Sequence, residues 1–122
     1  MAGSGLRRTT DTGKEGEEIA RQYLRKNGLT ILQANYRCKR AEVDIVAEEG
    51  EILVFCEVKM RTTDRFGAPE YAITLKKQRQ VRKAALVYLA EHNIRERACR
   101  FDVVAIEQYG TAMEIRHLRS AF

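Results

Sequence analysis

The sequence contains few cysteines, a single proline and no long apolar run, and these shortages exclude several classes of protein. Cys38, Cys56 and Cys99 are odd in number and never form a C-x-x-C pair, which argues against a disulfide framework or a zinc ribbon and is typical of a reducing compartment. No apolar run approaches the roughly 20 residues of a membrane span, and the N-terminus lacks the hydrophobic core of a signal peptide. We therefore expect a cytoplasmic protein with no membrane partner.

The residues that are present indicate one globular domain. A chain of 122 residues is long enough to bury a core without metal or disulfide staples. Its composition, 44% apolar and 32% charged, excludes a disordered or fibrous protein. The formal net charge of +5 favours polyanionic partners in a general way. We expect a flexible N-terminal arm over residues 1–12 and a single domain over residues 13–122.

Hydrophobic periodicity predicts seven elements in the order αβββαββ. The first helix is expected to start near Lys14, since Thr12 and Glu15 have capping-box spacing. Thr74 is expected to cap the second helix, which carries an apolar stripe at helical spacing. The predicted helices cover residues 14–26 and 75–92, and the predicted strands cover residues 29–36, 41–48, 51–60, 100–106 and 113–118.

Three charged side chains interrupt the apolar second and third strands. Glu57 and Lys59 share a strand face with Phe55, because side chains alternate across a strand. A strand that is apolar on both faces is usually central in a sheet, and charges on it cost free energy unless they are paired or bind a metal. Asp44 presents the same anomaly on the preceding strand.

The turn between these strands decides whether the charges meet. A two-residue turn at Glu49–Gly50 puts Glu42 opposite Glu57 and leaves Asp44 one diagonal step away. A four-residue turn instead puts Asp44 directly opposite Glu57. Either even-numbered turn sets Asp44, Glu57 and Lys59 on one face, whereas an odd-numbered turn without a bulge separates them.

Neighbouring carboxylates on a buried face favour cation binding. Two close carboxylates repel, so they share a proton or bind a cation. Oxygen ligands suit Mg²⁺ or Mn²⁺, and a lysine beside such an ion can orient water and stabilise charge on a phosphate. This is the chemistry of metal-assisted phosphodiester hydrolysis. The alternative is that Glu57 and Lys59 form ordinary ion pairs on a solvated face, contributing about 0–1 kcal/mol each.

The position of Asp44 ahead of Glu57-Val58-Lys59 resembles the PD-(D/E)xK nuclease superfamily. The stretches GKEGEEIARQYLRKNGLTILQANYR, AEVDIVA, LVFCEVKMR, RFGAPEYAIT, KKQRQVRKAALVYL and RFDVVAI resemble the YraN-like family of bacterial proteins, and the likeness extends from about Gly13 to Ile106. That family is grouped with archaeal Holliday junction resolvases and restriction-endonuclease-like folds. The resemblance implies an α/β fold with a restriction-endonuclease-like core, in which helices flank a mixed central sheet.

The resemblance also implies roles for particular residues. Asp44 and Glu57 would be catalytic metal ligands, the carbonyl of Val58 a further ligand, and Lys59 the catalytic lysine. Glu17 would be the acid that the first helix adds to this catalytic and metal-binding set. The implied cofactor is Mg²⁺ or Mn²⁺.

Two acids have open alternatives. Glu17 borders the apolar stripe of the first helix, whereas Glu18 is expected to point outward. Glu17 could equally be an acid placed favourably near a helix N-terminus. Glu42 could be a ligand, or it could pair with Arg40 or Lys59.

Basic residues at the start of the second helix predict contact with a nucleic acid. Cations there oppose the helix dipole, and a phosphate backbone lying across that end would attract them. The loop after the third strand is placed to reach the same ligand. A solvated basic face, with Phe66 in the core, is the alternative. The candidate residues are Arg61, Arg65, Phe66, Gly67, Lys76, Lys77, Gln78 and Arg82.

These observations lead to one expected function and two alternatives. We expect a metal-dependent endonuclease that hydrolyses DNA, with branched DNA as a candidate substrate. A homodimer is expected by analogy, because symmetric cutting of a junction needs two sites. The alternatives are a catalytically inactive nucleic-acid-binding module of the same fold and a protein-interaction adaptor.

Overall fold

Two helices and five strands follow one another in the predicted order. The computed structural model describes residues 2–62 and 73–122, with side chains from residue 13 onward. The fold is α/β, and its arrangement is compatible with a restriction-endonuclease-like fold. The elements are α1 (Ala2–Lys26), β1 (Thr30–Cys38), β2 (Ala41–Glu49), β3 (Ile52–Thr62), α2 (Leu75–Glu91), β4 (Cys99–Tyr109) and β5 (Ala112–Leu118).

The five strands form one mixed sheet. Their spatial order is β1-β2-β3-β4-β5. Strands β3 and β4 pair in parallel, and the other three neighbouring pairs are antiparallel. Parallel neighbours require a crossover connection, and α2 lies within the connection between them.

The two helices cover opposite faces of this sheet. On one face, Val81 of α2 packs in a cluster with Phe55 of β3. On the other face, Leu24 of α1 packs in a cluster with Val54. The exposed fraction of both Val54 and Phe55 is 0%. Strand β3 is therefore central and covered on both sides, as its apolar sequence predicts.

The first helix begins earlier than predicted. Helix α1 starts at Ala2, so the start expected near Lys14 is wrong and Thr12 lies inside the helix. No proline lies before Thr12, so no residue there forces the backbone out of the helical conformation. The spacing of Thr12 and Glu15 therefore does not mark a terminus. No helix within residues 2–62 and 73–122 is long and apolar enough to cross a membrane.

The other boundaries differ from the predictions by smaller amounts. Thr74 caps α2 as predicted, because its hydroxyl oxygen accepts a hydrogen bond from the backbone N–H of Lys77 at 3.1 Å. Strand β3 continues through Arg61 and Thr62, which were expected to start the following loop. The parallel partner β4 runs alongside both residues and extends the ladder. Most of that loop, residues 63–72, lies outside the described residues.

The β2–β3 turn adopts the second register considered above. Glu49 pairs with Ile52 and Ile45 with Cys56, and continuing this pairing by one residue puts Asp44 opposite Glu57. The turn residues are Gly50 and Glu51, one position later than the predicted two-residue turn. Gly50 has φ of 61°, a conformation that other residues adopt only at a steric cost. The turn thus sets the register on which the acidic site depends.

Candidate metal and nucleic-acid site

Glu57 is buried on the face of the sheet that α2 covers. Its exposed fraction is 2%, because α2 and the neighbouring strands enclose it. Its Oε2 atom lies 3.5 Å from Nζ of Lys77 on α2. Its Oε1 atom is buried and has no hydrogen-bond partner in the part of the chain that the structure describes. A buried carboxylate oxygen without a partner is unusual, because leaving it unpaired costs free energy.

Asp44 is held in place by the backbone of β3. Its Oδ2 atom accepts a hydrogen bond of 2.8 Å from the N–H of Val58. The residue-by-residue pairing between β2 and β3 ends at Ile45 and Cys56, so the Asp44 side chain bonds to β3 just beyond the end of the ladder. This bond orients the Asp44 carboxylate beside Glu57.

The carboxyl groups of Asp44 and Glu57 both have a raised pKa. Burial, together with the negative charge of Asp44, raises the pKa of Glu57 to about 7, although the positive charges of Lys77 and Lys59 oppose the increase. Burial also raises the pKa of Asp44, and the negative charge of Glu17 raises it as well. The hydrogen bond from Val58 has the opposite effect and lowers the pKa. Both acids thus favour protonation or a cation more than exposed acids do.

Glu17 lies within electrostatic reach of this pair. Gly16 is buried, and a Cβ atom there would lie 3.1 Å from Sδ and 3.2 Å from Cβ of Met60. Glycine therefore allows α1 to approach β3 closely next to Glu17. Glu18 points outward as predicted and bonds to Arg21 and Gln22.

Glu42 has a partner that was not predicted. It forms an ion pair of 3.0 Å with Arg37 on β1, not with Arg40 or Lys59. Arg37 and Glu42 are cross-strand neighbours in the β1–β2 ladder, which explains the pairing. The charge of Glu42 still contributes to the raised pKa of Asp44.

The two lysines of the site occupy different environments. Lys59 is exposed, although it lies on the same strand face as Glu57. Lys77 is partly buried and contacts Glu57 directly. This contact was missed, because Lys77 was predicted only to bind nucleic acid. The signal is its position one helical turn before Val81, on the stripe of α2 that packs on the sheet.

The structure disperses the other predicted nucleic-acid residues. Arg61 forms an ion pair with buried Glu107 at 3.3 Å, and Lys76 is exposed. The side-chain amide of Gln78 donates to the carbonyl of Ile73 at 2.9 Å. The guanidinium of Arg82 stacks 4.4 Å from the ring centre of Phe101. Arg65, Phe66 and Gly67 lie outside the described residues.

The two acids of the site are suited to a divalent cation that needs few protein ligands. Among residues 13–62 and 73–122, no three His, Cys, Asp or Glu side chains are gathered closely enough to hold a metal ion. Asp44 and Glu57 remain, with the unpartnered Oε1 atom of Glu57. Magnesium is commonly held by one or two carboxylates and completes its shell with waters and substrate phosphates. The observed pair is therefore chemically suited to Mg²⁺ or Mn²⁺.

A second set of buried charges lies on the α1 face and was not predicted. Asp102 accepts hydrogen bonds from Arg100 at 2.9 Å, from His117 at 2.7 Å and from the backbone of Ser120 at 3.0 Å. Burial raises the pKa of Asp102, but these hydrogen bonds outweigh it, so the net shift is downward. Every bond serves the fold: Ser120 belongs to the C-terminal segment, which is tied to β4. The set is a structural network.

Known proteins are similar to this one over almost the whole chain. The model of the family described as "Uncharacterised protein family UPF0102" matches residues 16–106. A UPF0102 protein of Geotalea daltonii is 46% identical over 100% of this chain and 97% of its own length. A UPF0102 protein of Geobacter metallireducens is 44% identical over 90% of each chain. One from Geobacter sulfurreducens is 42% identical over 98% of this chain and 94% of its own.

Proposed function

The chain belongs to the UPF0102 family, the YraN-like family that its motifs resemble, and we propose that it is a metal-dependent endonuclease that hydrolyses phosphodiester bonds in DNA. The observation that carries the proposal is the buried Glu57, whose Oε1 atom has no partner in the described part of the chain and whose neighbour is a second acid. A fold does not need such a group for stability. A cation-dependent reaction does.

The chain's own residues have distinct roles in this proposal. Asp44 and Glu57 would hold Mg²⁺ or Mn²⁺, with the carbonyl of Val58 and the side chain of Glu17 as further candidates. When bound, that ion supplies an activated water and charge stabilisation on the phosphate. The N–H of Val58 keeps the Asp44 carboxylate oriented. Lys59 would orient the attacking water and donate a hydrogen bond from Nζ to a phosphate oxygen on which negative charge grows, and its exposed position leaves it accessible to DNA.

The positive charge of the chain supports a polyanionic substrate. The net charge is +5, and Lys77 at the start of α2 contacts Glu57. A cation beside the acids supports the approach of a phosphate backbone to them. We include branched DNA among the substrates and a homodimer as the assembly, since two sites are needed to cut two strands symmetrically. Measurement of the mass in solution tests the dimer.

Cleavage assays test the proposed reaction. Junction, flap and linear DNA are incubated with the protein and Mg²⁺ or Mn²⁺, and products are separated on denaturing gels. We expect Lys59→Ala to lower the cleavage rate by about 100-fold or more while it retains DNA binding. Lys26→Ala, an exposed lysine at the end of α1, is the control and should cut as fast as the wild type.

Three results would contradict this assignment. Equal cutting by Lys59→Ala and the wild type would point to a contaminating nuclease or another site. Binding of DNA by the wild type with no cutting in either metal would instead indicate an inactive nucleic-acid-binding module. A protein-interaction adaptor would show no salt-dependent DNA binding at all.

A further inference from the structure

A basic cleft lies beside the acid pair, between the β1–β2 turn and the start of α2. Among the described residues, four cations line it, and the one acid in its lining is Glu42, which is paired with Arg37. The turn residue Lys39 has φ of 24°, so the backbone departs from strand geometry where the cleft opens. The cleft therefore has an excess of positive charge. Its cations are Arg37, Lys39, Arg40 and Lys77.

Lys77 belongs both to this cleft and to the acid site. Its side chain lines the cleft, while its Nζ atom lies 3.5 Å from Oε2 of Glu57. The exposed fraction of the side chain is 28% for Lys77 and 3% for Glu57. Lys77 thus stands at the boundary between the solvent-filled cleft and the buried carboxylate.

We propose that the cleft binds the phosphodiester backbone of DNA and that Lys77 couples this binding to cation binding at Asp44 and Glu57. In the free protein, Lys77 serves as the positive partner of Glu57. A phosphate in the cleft is an alternative partner for Lys77 and draws its charge away from Glu57. The inference deepens the proposed function and rests on it for the identity of the cation.

The coupling follows from charge. A divalent cation near Glu57 is repelled by the lysine that already neutralises this carboxylate, and the repulsion is strong because Glu57 is shielded from water. A phosphate that pairs with Lys77 reduces the repulsion. By thermodynamic linkage, the cation must then strengthen DNA binding by the same factor. Arg40 contributes to phosphate binding but makes no described contact with Glu57.

Mn²⁺ binding tests the coupling without relying on turnover. Isothermal titration calorimetry measures the Mn²⁺ affinity of the full chain, alone and saturated with a short phosphorothioate DNA duplex, which keeps the backbone charge and resists hydrolysis. We expect DNA to raise the Mn²⁺ affinity of the wild type by about 5-fold or more. Lys77→Gln should bind Mn²⁺ more tightly than the wild type without DNA, and DNA should no longer raise its affinity.

DNA binding tests the cleft itself. In chelator, Arg40→Gln should weaken binding of the same duplex and lower the slope of log affinity against log salt by about 1. Arg95→Gln removes the same charge from the segment after α2, at the opposite end of that helix. It should leave the DNA affinity and its salt slope near those of the wild type. Circular dichroism confirms that each variant is folded.

The outcomes separate this inference from the nuclease proposal. Equal Mn²⁺ affinities of Lys77→Gln and the wild type would overturn the coupling, and equal effects of Arg40→Gln and Arg95→Gln on DNA would overturn the cleft. Failure of Mn²⁺ to bind under any of these conditions would overturn the coupling as well. If coupling is observed but no DNA is cut, the inference stands and the nuclease proposal fails. If DNA is cut without coupling, the reverse holds.

Discussion

Glu57 and Asp102 are buried acids on opposite faces of the sheet, and they are paired to different extents. On the α2 face, Glu57 has an oxygen atom without a partner in the described chain, and its pKa is raised to about 7. On the α1 face, Asp102 accepts several hydrogen bonds, and its pKa is lowered. A fully bonded acid supports the fold, whereas an incompletely paired one destabilises it. The difference makes Glu57 the candidate for cation binding, whereas Asp102 resembles Glu107, a further buried acid that is paired with Arg61 and Arg116.

The largest expected effect comes from breaking the paired network. Asp102→Ala should lower the free energy of unfolding by about 3–5 kcal/mol, because Arg100 and His117 lose their buried anion. Urea denaturation measures the change. Glu57→Gln is the matched control, since it removes a buried carboxylate from the other face and should cause no loss. A loss below about 1 kcal/mol for Asp102→Ala would mean that this network is no stronger than a surface ion pair.

The pH dependence of stability should have opposite signs for Glu57 and for Glu49. The pKa of Glu57 rises from 4.5 to about 7 on folding, so its stabilising contribution is complete below pH 4.5 and disappears as the pH rises through about 7. The loss is about 3 kcal/mol at about 1.4 kcal/mol per pKa unit. Chemical denaturation in chelator, compared between the wild type and Glu57→Gln, isolates it.

Glu49, whose pKa is lowered, provides the contrast for that experiment. The hydrogen bonds of Arg119 and Arg100 hold the pKa of Glu49 at about 2, below its usual 4.5. Its contribution is complete above pH 4.5 and is lost as the pH falls toward about 2. The stability difference between the wild type and Glu49→Gln should therefore shrink in acid. A difference of the same sign and pH range for both glutamates would contradict the distinction between Glu57 and Glu49.

The smallest expected effect concerns the rim of the structural network. Arg119 binds Glu49 at 2.9 Å, but its side chain is 47% exposed. Arg119→Ala should therefore lower the free energy of unfolding by about 1 kcal/mol or less, and salt should reduce the effect. Truncation of Arg100, whose side chain is 14% exposed, should lower the free energy of unfolding by more than truncation of Arg119. Equal losses for the two arginines would show that burial does not set their contributions.

Local sequence patterns were sufficient to predict most of the fold. The stripe through Val81 and Tyr88 predicted α2 with a start that is confirmed by the Thr74 cap. The continuous apolar run of β3 predicted a central strand, and its burial confirms this. The start of α1 was wrong because the spacing of Thr12 and Glu15 also occurs inside helices. A capping pattern alone does not locate a terminus.

The acid site could be predicted only in part. Alternation along β2 and β3, with an even-numbered turn, was enough to bring Asp44 and Glu57 together. The contact of Lys77 with Glu57 and that of His117 with Asp102 were not predicted. Lys77 and Glu57 lie on a helix and a strand that no local period relates, whereas Asp102 and His117 lie on one hairpin, where alternation and the turn could have brought them together. The catalytic and metal-binding roles of the site residues stay predictions until they are measured.

The sequence by itself determined the order of the elements and the strands that carry the acids, because periodicity and turn residues act over a few neighbouring positions. Only the tertiary structure decided which cation each acid meets. The placement of α2 over β3 brings Lys77 to Glu57, and the pairing of β4 with β5 brings His117 to Asp102. These distances depend on how the elements pack, and at such short range packing decides whether a buried acid is neutralised or left available for a ligand.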